Sequence, residues 1–73
     1  MSTLGENIKE LRKINKLTQK EFAEKMDTTQ QRVSEWEKNK VEPSLYNIIK
    51  ILKVLDTTFD ELTENIEIKK DKN

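Results

Sequence analysis

Between Thr18 and Lys38 the chain reads TQKEFAEKMDTTQQRVSEWEK, and this run limits the fold more than any other. Phe22, Ala23 and Met26 fall on one face of a helix, and Val33 and Trp36 put an i, i+3 apolar face on a second one. Between them Asp27-Thr28-Thr29 is a polar break made of residues that turn the chain or cap a helix. Two short helices joined by a tight turn satisfy the pattern. With Val33 and Trp36 facing inward, the second helix must present Gln30, Gln31, Ser34 and Glu35 outward.

The flanking sequence extends the helical pattern. Leu4, Ile8, Leu11 and Ile14 form an apolar stripe over a first helix predicted for Thr3 to Asn15, capped by Thr3 or Ser2 with Glu6 completing a capping box. Thr18 with Glu21 is a second box, and Thr29 or Thr28 caps the next helix. Ser44, just after Pro43, starts a fourth helix with Leu45, Ile48, Ile49, Leu52 and Leu55 as a broad buried face. Thr57 or Thr58 starts a short fifth with Phe59 and Leu62. The fold class is all-α, a compact bundle of five helices. Ile66-Glu67-Ile68 alternates like a short strand, and Lys69-Lys70-Asp71-Lys72-Asn73 reads as a frayed tail. With no internal repeat and no linker, the expected organisation is one domain over residues 1–63 and a charged tail over 64–73.

Composition removes whole classes of function. A chain of 73 residues is one small domain, whose core needs well-packed helices or a partner chain. No cysteine means no disulfide and no thiolate metal site; no histidine removes the commonest general base and metal ligand. Without a glycine-rich phosphate loop or a catalytic constellation, no enzyme, metal, cofactor or small-molecule ligand is expected. No signal region or membrane span is visible, so the expected location is the cytoplasm. Formal net charge is zero, but unevenly spread: residues 1–55 hold eleven Lys/Arg against eight Asp/Glu, and residues 56–73 hold three against six. The helical body is mildly basic and the C-terminal stretch acidic.

The outward residues of the second helix carry the chemistry. A glutamine amide has one donor and one acceptor, the pair needed to bond N6 and N7 of adenine in the major groove. Two such amides on the first turn of an exposed helix, after a tight turn, make the layout of a helix-turn-helix, whose second helix enters the groove N-terminus first.

On these residues the chain resembles the Cro/cI-type (XRE-like) helix-turn-helix family of bacterial and phage regulators. The matching pieces are IKELRKINKLTQKEFAEKM, TTQQRVSEWEKNK and EPSLYNIIKILKVLDTTFDEL, together covering Ile8 to Leu62. The resemblance implies a lambda-repressor-like DNA-binding domain that binds double-stranded operator DNA as a homodimer and regulates transcription, most often by repression. It implies base contacts from Gln30, Gln31, Ser34 and Glu35, and phosphate contacts from Gln19, Thr29, Arg32, Lys38, Asn39 and Lys40. Arg12 and Glu37 become a structural pair bridging the first helix to the end of the third. Trp36 reads as core, and Tyr46 as a ring packed at the surface. The dimer surface is expected at Leu55, Phe59, Leu62 and Ile66.

Three departures qualify the resemblance. The family usually has glycine where a helix ends with positive φ, and here those places carry Lys16, Asp27, Asn39 and Asp56. Asn and Asp tolerate that conformation; a lysine does not do so readily. Arg32 and Glu35 stand where a lambdoid phage repressor has a serine and a third glutamine, so its operator does not carry over. The zero net charge keeps open a second reading, an antitoxin or accessory regulator acting mainly through a protein partner.

Overall fold

The computed structural model describes residues 2–68. Five helices follow in order: α1 (Leu4–Ile14), α2 (Gln19–Met26), α3 (Gln30–Glu37), α4 (Leu45–Val54) and α5 (Phe59–Leu62). Each begins on a hydroxyl. Thr3, Thr18, Thr29, Ser44 and Thr58 adopt extended backbone, and each side-chain oxygen accepts the N–H three residues on. Glu6, Glu21 and Glu61 return the bond to the cap backbone, closing three capping boxes. The backbone N–H of Thr18 holds the Glu21 carboxyl below the usual carboxylate range, and that of Thr58 does the same for Glu61.

The helices also end alike. Lys16, Asp27, Asn39 and Asp56 all have positive φ, between 51° and 61°. At Lys16 the N–H of Leu17 returns to the Arg12 carbonyl and that of Lys16 to Lys13, the double bond pattern that closes a helix in the left-handed conformation. The geometry comes from this closure and not from the residue, so the lysine adopts a conformation that costs an L side chain about 1–2 kcal/mol. Lys16→Gly is therefore expected to raise unfolding free energy by about 1 kcal/mol, after the greater backbone entropy of glycine is offset; urea melts compared with wild type measure it.

Ile8, Phe22, Ala23, Met26, Val33, Trp36, Ile48, Ile51, Leu55 and Leu62 form the core. α2 packs on α3 and α4, while α1 packs on α3 and α5. The remaining helix ends are closed across the fold: Asn15 Nδ2 donates to the Leu55 carbonyl, Lys50 Nζ to that of Met26, and Asn7 Nδ2 to those of Leu62 and Glu64.

Some sequence expectations are corrected here. Ile14 lies on the predicted stripe yet is 66 % exposed at the last residue of α1, while Arg12 in the same turn is buried. Leu45 and Ile49, assigned to a buried face of α4, are exposed; only Ile48, Ile51 and Leu55 turn fully inward. Tyr46 is also exposed, with Lys50 Nζ 5.8 Å from its ring centroid. Leu55 and Leu62, expected at a dimer surface, are 2 % and 0 % exposed and belong to the core. The alternating Ile66-Glu67-Ile68 gives a single parallel bridge, Ile66 to Ser2, with the Ser2 N–H on the Asn65 carbonyl. This contact ties the start of the 64–73 stretch to the N-terminus. The frayed tail expected at 69–73 lies outside the described residues.

Candidate nucleic-acid interface

A chain of polar contacts runs from the interior to the exposed start of α3. Arg12 and Glu37 are both 7 % exposed. The guanidinium donates from Nε to Glu37 Oε2 (2.6 Å), from Nη2 to Oε1 (3.1 Å), and from Nη1 to the Leu17 carbonyl (2.8 Å). Both charges are thus paired and the fork is satisfied, the condition for tolerating ions in a small core. The free side of Glu37 Oε1 accepts from Gln19 Nε2 at 3.0 Å. Gln19, the first residue of α2, is half-buried by this contact. Its own oxygen accepts from Gln30 Nε2 at 3.5 Å, a long bond between the first residues of α2 and α3. The expected structural pair therefore also orients the Gln19 amide, which in turn meets that of Gln30.

The expected contact residues are brought to one side, with differences. Gln30 and Gln31 are exposed on the first turn of α3, and Ser34 and Glu35 are half-buried along it. The Thr29 oxygen is engaged by the Arg32 N–H as the α3 cap. Lys38 and Lys40 are exposed after α3. Asn39, between them, is also exposed but bonds to the start of α1. Its Oδ1 accepts the Gly5 N–H (2.9 Å) and its Nδ2 donates to Thr3 Oγ1 (2.9 Å), so its amide caps α1 while the residue stays exposed.

Gly5 is a position that sequence reading did not single out. A Cβ there would press on the carbonyl oxygen of Trp36 and lie 2.5 Å from that of Glu37, so α1 crosses the end of α3 backbone to backbone. The signal was present: it is the chain's one glycine and sits inside a helical pattern, where glycine costs stability unless a close approach needs it.

A capped α2, a tight turn and an α3 with outward amides, braced by flanking helices, define a helix-turn-helix domain. The helix-turn-helix family model HTH_3 matches residues 8–62, and the chain belongs to this family of Cro/cI-type regulators. Among solved structures it is similar to the crystal structure of the P22 c2 repressor protein in complex with synthetic operator 9T in the presence of Tl+. Identity is 27 %, coverage 85 % of this chain and 94 % of that one, and the TM-score 0.79. No curated protein matches. Among the described residues, no helix is long and apolar enough to cross a membrane.

Proposed function

We propose that this chain binds operator DNA as a homodimer and represses transcription by occupying the site, with α3 of each copy in the major groove. The observation that carries the reading is the contact series Arg12–Glu37–Gln19–Gln30. It holds two amides at adjoining helix starts, the half-buried Gln19 aimed by a buried ion pair and the exposed Gln30 beside it. Gln30 and Gln31 are read as adenine contacts. Gln19, Lys38 and Lys40 are read as phosphate contacts, Gln19 at the positive end of α2. The similar P22 c2 repressor, solved with its operator, supports DNA as the ligand.

For the pairing surface, Leu55 and Leu62 are unavailable, and the reading moves to the exposed apolar side chains beside them. Phe59 is 56 % and Leu45 74 % exposed, and with half-buried Ile66 and exposed Ile68 they line an open apolar hollow between α4 and α5. Such a patch on so small a domain supports a second copy seated there. A different protein in the same hollow is the antitoxin-like alternative; a chain that sediments as a monomer and enriches no DNA sequence would favour it.

Selection from a random duplex pool tests the function, followed by titration at several salt concentrations. With about three to five phosphates neutralised per subunit, log K should fall against log[salt] with a slope of about −0.9 per contact. Gln30→Ala should lose roughly 1–3 kcal/mol on the selected site and relax base choice there, whereas Lys40→Ala should weaken all sequences alike. Enrichment of no sequence, even at low salt, would end this reading.

A further inference from the structure

We propose that Arg32 reads a guanine in the major groove and that Glu35 is the positioning residue that aims it; the inference rests on the DNA-binding reading above and gives it a second kind of base contact. The starting point is the angular order of α3. At about 100° per residue, with Val33, Trp36 and Glu37 filling the buried side, Gln31 and Glu35 lie on the line pointing away from the core. Arg32 starts on a flank of that face. Left to itself, it would extend sideways like an ordinary phosphate contact. It instead pairs with Glu35 one turn on, Nε to Oε1 at 3.7 Å, with side chains 52 % and 31 % exposed. The pairing draws the guanidinium toward the outward line.

The chemistry of the pair selects the base. The ion pair approaches through Nε, at a distance longer than a hydrogen bond, which leaves the two terminal amino groups of a planar fork for an outside acceptor. Such a fork offers donors only. Guanine presents two acceptors, O6 and N7, and satisfies both; adenine presents N7 beside the N6 donor, which opposes a second N–H. The glutamines offer a donor and an acceptor and suit adenine. One helix face thus carries two complementary readers. Glu35 also gains a reason to be there: an unpaired carboxylate in the middle of a DNA-facing surface repels phosphate, whereas one bound to Arg32 holds a cation in register.

Duplex selection with wild type, Arg32→Ala, Glu35→Gln and the double variant tests this. Melting curves confirm that each variant folds, as surface changes on α3 should. Wild type is expected to enrich guanine at one position, and replacing that guanine by adenine should weaken binding roughly 10- to 100-fold. Arg32→Ala should abolish the preference at that position alone. Glu35→Gln should diminish the same preference without weakening binding to unrelated duplex, and in the Arg32→Ala background it should change base choice no further. Arg32→Ala weakening every sequence by one factor would make Arg32 a phosphate contact and overturn the proposal. So would a Glu35→Gln effect on base choice that persists without Arg32, since Glu35 would then be reading a base itself. Wild type selecting a sequence with no arginine-dependent guanine defeats this inference alone; wild type selecting nothing defeats the DNA-binding reading with it.

Discussion

Arg12→Met is expected to lower the free energy of unfolding by about 3–5 kcal/mol, because it leaves the buried Glu37 carboxylate without its cation. Two bonds to Glu37 and one to the Leu17 carbonyl disappear together, and Gln19 Nε2 remains as the donor to Oε1. Glu37→Leu added to Arg12→Met should recover much of the loss, since an apolar pair in the same volume carries no desolvation penalty. Urea melts of the two single variants and the double one measure this; simple additivity would mean that the residues are not coupled. The double variant also separates stability from recognition. It should fold well but lack the carboxylate that holds Gln19, so Gln30 loses its support and discrimination on the selected operator should remain impaired. Full specificity in a refolded double variant would remove the buried pair from the recognition machinery.

Gly5→Ala is expected to be destabilising by about 3 kcal/mol, against the helical preference for alanine, which alone would predict a gain of about 1 kcal/mol. The sign is the test. The new Cβ would meet the carbonyl oxygens of Trp36 and Glu37, and the Asn39 Oδ1 at 2.8 Å. The first two are backbone at the end of α3 and cannot swing aside. Either α1 retreats, breaking the 2.9 Å bond from the Gly5 N–H to Asn39, or the end of α3 moves. Thermal or urea unfolding that shows the alanine variant to be as stable as wild type would mean that the two helices do not approach this closely.

Gly5 also shows where sequence reading stops. Its spacing placed it on a helix, but nothing local said that another helix's carbonyls lay against it. The same holds for Asn39. Its left-handed conformation was expected from the family resemblance, and asparagine tolerates it, while its side chain was read as a phosphate contact. It bonds to Thr3 and Gly5, 36 and 34 positions earlier, while remaining exposed. A side chain's partner across the fold has no period and leaves no trace in the neighbouring residues.

The apolar faces divide in the same way. Periodicity correctly put Phe22, Met26, Val33 and Trp36 inside. It could not tell the covered part of α4 from the uncovered part, because Leu45 and Ile49 are as apolar as Ile48 and Ile51. Coverage depends on which neighbours a helix has, and α5 is only four residues long. Leu62 was assigned to a surface for the converse reason, as part of a stretch with more apolar side chains than the core takes; Leu55 was placed both on the buried face of α4 and at the dimer surface, and it is buried.

By itself the sequence determined the number and order of the helices, their hydroxyl caps, their left-handed ends, the Arg12–Glu37 pair and the helix carrying the exposed amides. Most of these are local: caps, turns and 3.6-residue periods are set by residues within one or two turns of each other, while the pair and the left-handed ends came from the family resemblance. Only the tertiary structure decided that Gln19 stands between the buried pair and Gln30, that Asn39 bonds to the start of α1, that α1 needs its one glycine, and which leucines stay outside. Those depend on distances between segments far apart in the chain, fixed when the core closes.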